Sequence, residues 1–546
     1  MNLRRADWRF LLPTPHSGAF DHVVLLGGAA ELENQLIDAG IARHVSRRVT
    51  KGRRADALVI LEDARVRLRD AVACLGTGGA LYCEIDRRGI LWPFRSPDRT
   101  RRVLQRAGLS TVRPYWIHPG FQNCAAYLPL DVPEVFRWYL ETIFTARTPL
   151  QRIREFFLRM LTRLGSRALA CVAGRYVVAA VAGPAEQAAP SVLGHADLPD
   201  ELQRPNLRPI MLTGGEPSDL YRRVILLPFS SDGIEPIAVL KLWRLPDRNE
   251  TTENEQRTLA AIRKSLGDSG HGHGGVPRPL GTFRWCQLTV AVESYSRGRL
   301  IASTTARWGG SLESKTDDVR LVAKGLAELH RRATLRSLTW GGSAIEQWVE
   351  APLSAYERAF GVGAVEEGLF AAARRRSASL TGRKMPLVWS HRDLGLRNIC
   401  RTADAITVLD WSASRPGLPL ADLLYFVMIW AAAAGRLRFN PELYCENGPK
   451  DTVSAAIREC IELYLARLGI DRDFLPLILV LHWVGRAVGR FERARALAQG
   501  EAGIGAKSGN PYLEYVRLLA EHRGQLFADS RPFASGSRHQ AGASAT

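Results

Sequence analysis

The sequence predicts an α/β part followed by an α+β part, and three observations predict it. Apolar runs ending in glycine alternate with helical stretches up to residue 183. A proline-, alanine- and acid-rich stretch, PAEQAAPSVLGHADLPDELQRP, occupies 184–205. Beyond it, short β-type runs separated by turn residues give way, from about 315, to a mainly helical chain. A chain of 546 residues is too long for one core and divides into domains.

In the first part, HVVLLGG (22–28) is an apolar run closed by glycines and followed by the helical AELENQLIDAG. ADALVILED (55–63) is a second buried strand, and GALYCEI (79–85), after the turn GTGG, is a third. Strands alternating with helices imply parallel pairing, so residues 1–183 are expected to form a Rossmann-like sheet. VPEVFRWYLETIF and LQRIREFFLRMLTRL read as amphipathic helices. ALACVAGRYVVAAVAG (168–183) carries Arg175 and falls short of the roughly 20 apolar residues that span a bilayer. It reads as a buried strand or strand pair that closes the sheet. The stretch 184–205 is read as a linker. In the second part, 206–530, RPIMLTGG, YRRVILLPF and PIAVLKLW form a meander, ETTENEQRTLAAIRKSL a helix, and TFRWCQLTVAVESY further strands. The small, polar tail 531–546 is expected to be disordered.

Composition narrows the function classes. With 46% hydrophobic and 24% charged residues the chain can bury a large core. The net charge is +19, but of 74 basic residues 8 are lysine and 66 arginine, and they are scattered. The densest groups are RRVTKGRR (47–54) and RRR (374–376). This is read as solvated surface and not as a specific nucleic-acid face. An anionic substrate or weak peripheral contact with anionic lipid would profit from the field, although no segment anchors the chain and none spans a membrane. Eight cysteines without a C-x-x-C pair argue against a disulfide framework or zinc cluster and suit a reducing cytoplasm. HGHGG (271–275) offers His271 and His273 with no further ligands in sight, and reads as a flexible loop. The N-terminus lacks the apolar core of a signal peptide.

The chemistry lies in VWSHRDLGLRNICRTADAITVLDW, where two apolar runs flank a polar loop. Asp393, Asn398 and Asp410 could then meet on one side. One carboxylate can deprotonate a hydroxyl, while an amide oxygen and a second carboxylate are hard ligands for magnesium. Phosphoryl transfer asks little more of a protein than positioning and charge neutralisation. It does ask for an ammonium on an upstream strand. PIAVLKLW supplies Lys241, and the following helix supplies Glu255 as the partner a buried ammonium requires, with Glu253 half a turn away.

In this order of residues the stretch 205–530 resembles the aminoglycoside phosphotransferase-like branch of the protein-kinase-like fold. SHRDLGLRNI resembles its catalytic loop, and VLDWSASRPGLPLADLLYF its metal-binding segment. VESYSRGRLI (292–301) resembles the hinge between lobes, and LAELHRRA (326–333) the helix before the catalytic loop. The resemblance implies a bilobal domain using ATP and magnesium. Asp393 would be the base, Asn398 and Asp410 the metal ligands, and Lys241, paired with Glu255, the phosphate contact. Asp422 would brace the loop, with His391 as further support. Glu293, Ser294 and Tyr295 would line the adenine slot through backbone groups, and Gly214 and Gly215 would lie in the phosphate-covering loop. That loop lacks G-x-G-x-x-G, and Asp410 is followed by Trp411 with no A-P-E beyond. The expected acceptor is therefore a hydroxyl of a small molecule: sugar, amino sugar, amino alcohol or nucleoside. A module that binds nucleotide without turnover is the alternative.

Residues 20–183 resemble class I methyltransferases that use S-adenosylmethionine, through VVLLGGAAE and CLGTGGALYCEI. The glycines stop at Gly27 and Gly28, and the basic HVSRRVT stands where an acid should hold ribose. A degenerate, structural or substrate-presenting domain is expected, with S-adenosylmethionine not among the expected cofactors and methyl transfer by this half the second alternative.

Overall fold

The computed structural model describes residues 3–15, 18–50, 52–87, 96–184, 191–204, 206–213, 223–230, 233–267, 274–306, 310–434, 439–445, 447–498 and 509–528. They form two compact units: Met1–His271, Gly275–Gly310 and Leu396–Ser414 in the first; Gly272–Gly274, Ser311–Gly395 and Arg415–Thr546 in the second.

The first unit is built on one twelve-stranded sheet. Its early strands are β1 (Phe20–Leu26), β2 (Ala42–Ser46), β3 (Ala55–Ile60) and β4 (Leu75–Asp86). These lie side by side as β2-β1-β3-β4, all parallel, as the alternation with helices predicts. Beyond β4 the pairing turns antiparallel. β7 (Arg175–Ala182) sits between β4 and β5 (Leu109–His118), and β6 (Ala126–Pro129) follows. The apolar run 168–183 is therefore a short helix, Ser166–Val172, leading into an interior strand of the sheet.

The sheet continues through β8 (Arg208–Leu212), β9 (Arg223–Phe229), β10 (Ala238–Trp243) and the hairpin of β11 (Pro279–Trp285) and β12 (Leu288–Ser294). β6 pairs directly with β8, with Tyr127 opposite Met211. The sheet thus runs across 184–205, read above as a linker, and the compact units divide near 310. Two hydrophobic cores, one on each face, draw residues from both sides of that stretch. One joins Trp8, Phe20 and Tyr82 to Leu240 and Val290, and the other joins Leu58, Trp116 and Tyr176 to Phe229. A buried bidentate ion pair, Asp7 with Arg244 at 2.7 and 2.8 Å, ties the N-terminal turn to the end of β10.

The second unit is mainly helical around Leu312–Arg332, Ala421–Ala433, Thr452–Leu468 and Leu475–Ala498. A small sheet of Thr334–Thr339, Lys384–Ser390 and Arg415–Gly417 presents the polar loop. Among the described residues one helix, Arg472–Arg495, could cross a membrane by length and composition. Its most apolar window is 61% buried within the protein, as befits a core helix. None of the eight cysteines is in a disulfide.

Candidate active site

In the first unit the charged residues gather around one carboxylate. Lys241 stands on an apolar strand, where an unpaired ammonium would be costly. Its Nζ lies 3.1 Å from Glu255 Oε1 and 2.8 Å from Glu293 Oε2. The Lys241, Glu255 and Glu293 side chains are 7%, 0% and 2% exposed. Glu255 also accepts the backbone N–H of Trp411 at 3.0 Å, which ties the segment carrying Asp410 to the helix Asn249–Leu266. Arg223 Nη1 is 2.5 Å from Glu255 Oε2 and 3.2 Å from Asp410 Oδ1, and its guanidinium lies over Trp243. Three carboxylates thus face two cations, an excess of one negative charge that a metal ion would relieve.

The acid–base state follows from that crowding. Burial alone would lower the Lys241 pKa, but Glu255 and Glu293 outweigh it and hold the ammonium protonated. Burial lifts the Glu293 carboxyl to about 6, against the opposing pull of Lys241. Asp410 reaches solvent, with 39% of its side chain exposed, and its backbone is left-handed at φ 61°. Non-glycine residues held there cost roughly 1–3 kcal/mol and collect at functional sites.

In the second unit Asp422 organises the loop. Its two oxygens accept the backbone N–H groups of His391 and Arg392, each at 2.7 Å, and the Asp393 N–H donates to His391 Nδ1 at 3.2 Å. Arg392 takes φ 65°, a second strained position, immediately before the exposed Asp393. Behind Asp422 lies His330, 3.8 Å away and 2.5 Å from the Tyr464 hydroxyl, which also accepts the Leu420 N–H. Burial lowers the His330 pKa to about 4 in spite of Asp422. In the unfolded chain the imidazole titrates near 6.5, so between these values the native protein binds fewer protons and stability falls as pH falls. The loss should reach roughly 3 kcal/mol by pH 4. Half-buried His482, its pKa also lowered by desolvation, acts in the same direction. Thermal unfolding followed from pH 7 to 5 should show the midpoint dropping in wild type and dropping less in His330→Gln.

The same loop faces arginines. Arg392 is lowered to about 10 by burial and then by Arg415, Arg486 and Arg493. Arg486 lies 3.2 Å over the Tyr425 ring, and its buried Nη2 has no hydrogen-bond partner among the described residues. Arg486, Arg490 and Arg493 recur on one face of the helix Leu475–Ala498.

The expected residues fall as follows. Lys241, Glu255, Asn398 and Asp410 belong to the first unit; His391, Asp393 and Asp422 belong to the second. Asn398 stands before, and Asp410 after, the hairpin of Ile399–Arg401 and Ile406–Val408, and the Asn398 carbonyl accepts the Leu409 N–H. Glu293, expected to act through its backbone, engages Lys241 with its carboxylate. Tyr295 turns its ring onto Trp138 and accepts the indole N–H at 3.3 Å, so its side chain is committed within the sheet region. Ser294 pairs through its backbone with Arg278. Gly214, Gly215, His271, His273 and the tail 531–546 lie outside the described residues. Arg223 was not singled out by sequence; the structure places it two residues before Ile225, the cross-strand partner of Lys241.

The glycine pair of the first part serves the protein itself. Gly27 and Gly28 take φ 83° and 74°. The Gly28 N–H donates to both Asp63 oxygens at 2.8 and 3.0 Å, and Arg47, from the basic stretch after β2, donates to the Gly28 carbonyl. A Cβ at Gly27 would stand 2.4 Å from Asp63 Oδ1.

Comparison with known proteins gives a family match over part of the chain. Residues 233–444 match the model of the phosphotransferase enzyme family, APH. The resemblance drawn from SHRDLGLRNI and VLDWSASRPGLPLADLLYF therefore holds for that region. Among solved structures, similarity extends to amicoumacin kinase hAmiN in complex with AMP-PNP, Ca2+ and Ami (12% identity, 58% of this chain and 89% of that one, TM-score 0.35). A choline/ethanolamine kinase family protein from Mesorhizobium loti is also similar (12%, 59% and 92%, 0.34). So is ADP-bound aminoglycoside phosphotransferase APH(2'')-Ib (13%, 60% and 95%, 0.31). No curated protein is matched.

Proposed function

We propose that the chain is a small-molecule kinase that moves the γ-phosphoryl group of ATP to a hydroxyl acceptor. The observation that carries this reading is the buried Lys241–Glu255–Glu293 cluster, bound through Trp411 and Arg223 to the segment of Asp410. A sealed ammonium held by two carboxylates has its charge fixed and its position set, which is what an anionic phosphate chain needs from a protein. Asn398 and Asp410 supply hard oxygen donors that fit magnesium, and the local excess of negative charge favours a divalent cation. When bound, magnesium neutralises phosphate oxygens. Asp393, held by the Asp422-braced loop, takes the proton of the acceptor hydroxyl while its oxygen bonds to the γ-phosphorus and ADP leaves. A reducing, cytoplasmic setting fits the cysteine usage.

The acceptor side of this reading is cationic. Arg415, Arg486 and Arg493 each act on Arg392, and a buried Arg486 guanidinium nitrogen has no hydrogen-bond partner among the described residues. Such a field repels amines and favours a carboxylate or phosphate. Among sugars, amino sugars, amino alcohols and nucleosides, acceptors that carry an acidic group therefore rank first. ATP consumption by the purified chain with magnesium, measured across neutral, amino and acidic hydroxylated metabolites, tests both statements. Turnover led by acidic acceptors is the expected result. Nucleotide binding without turnover on any acceptor would favour the regulatory-module alternative.

A further inference from the structure

The helix Pro149–Arg163 is amphipathic in the wrong sense for a soluble protein. Leu150, Ile153, Phe157, Met160 and the following Leu164 recur at spacings of three and four and so share one face, with Phe156 at its edge. These six side chains are each between 48% and 78% exposed. The opposite face, Glu155, Leu158 and Thr162, is the one turned inward. Leu158 joins the hydrophobic core, and polar contacts to the helix Pro133–Thr142 add to it: Arg137 donates to Thr162 Oγ1 at 3.2 Å, and Arg159 donates to the Leu140 carbonyl at 3.3 Å. A surface helix ordinarily buries its apolar stripe. Here the stripe faces out, and a contiguous exposed apolar patch marks an interaction surface.

Charge selects the occupant. Exposed Arg152, Arg154 and Arg163 border the stripe. The one acid of the helix, Glu155, is buried and neutralised by Arg159 at 2.6 Å. A second copy of the chain docked on this face would bring arginine against arginine, and the whole chain carries +19. We propose that this helix lies in the surface of an anionic lipid bilayer, its apolar stripe among the acyl chains and its arginines at the headgroups. An interfacial helix has this distribution: Phe and Leu on one side, Arg flanking, and no exposed acid. A helix of 15 residues, about 22 Å long, is suited to lie along the interface and cannot cross it. The inference does not depend on the phosphotransferase reading.

Flotation of the full-length chain with phosphatidylcholine vesicles, with and without phosphatidylglycerol, tests it. Binding to the phosphatidylglycerol vesicles, weakened by salt, is expected. The double variant Ile153→Asp and Phe157→Asp should reduce partitioning roughly tenfold or more. It should also keep the wild-type unfolding temperature, because both positions are exposed. Arg152→Gln with Arg163→Gln should weaken the preference for anionic vesicles. No binding to either vesicle would overturn the proposal, and so would binding unchanged in the double aspartate variant. A dimer that the same variant dissociates, without vesicle binding, would assign the face to a second copy instead.

Discussion

Lys241→Met should destabilise the protein by about 3–5 kcal/mol, as the loss of one partner from a buried ion pair does. Glu255 and Glu293 are sealed from water, and without the ammonium they would face each other with Arg223 as the remaining cation. Glu293, already raised to about 6, should then stay protonated to still higher pH. The variant should also lose measurable affinity for ATP. Lys241→Met combined with Glu293→Gln removes one surplus charge and should recover part of the stability but none of the nucleotide binding. That split separates the structural work of the ammonium from its proposed contact with phosphate. Thermal unfolding and nucleotide titration of the two variants read it directly. A Lys241→Met protein as stable as wild type would show that the cluster is held by other forces.

Asp393→Asn should behave in the opposite way. Asp393 is exposed at the head of a loop fixed by Asp422 through backbone N–H groups, so its carboxylate contributes little to folding. The amide keeps the shape of the side chain and cannot accept a proton. Acceptor-dependent turnover should fall by roughly 10²- to 10⁴-fold, the usual contribution of a positioned base, with the unfolding midpoint unchanged. Nucleotide affinity should persist, because Lys241, Asn398 and Asp410 are untouched. Turnover that survives the substitution would remove Asp393 from the role of base.

The contrast between the two positions reflects what a linear sequence discloses. Lys241 was legible because one charge inside an apolar strand demands a partner, and Glu255 on the next helix was within reach. Glu293 was legible only as part of a hinge. Its carboxylate meets Lys241 because β10 and β12 pair Val239 with Glu293, which places Glu293 diagonally across from Lys241. That register is a tertiary fact with no local signature. Arg223 was hidden for the same reason, as one arginine at the start of a strand in a chain that holds 66 of them.

The first part shows the same limit at larger scale. β1, β3 and β4 could be read from their apolar runs, and their parallel pairing followed from the intervening helices. The insertion of β7 between β4 and β5, and the junction of β6 with β8, depend on pairings between segments distant in sequence. A proline-rich stretch therefore looked like a boundary although one sheet and both cores pass it. In the helix Pro149–Arg163 the amphipathic period was legible, but period alone does not say which face turns inward. Here the inward face carries Leu158 into the core and meets Arg137 and Leu140 through Thr162 and Arg159.

The central claim is that Lys241, Asn398 and Asp410 serve a nucleotide together with a divalent cation. Calorimetric titration of ATP into the full-length chain, with and without magnesium, tests it most directly. A saturable heat that requires magnesium, and that Asp410→Asn abolishes, is the predicted result. A well-folded protein that gives no heat with ATP under either condition would contradict the account.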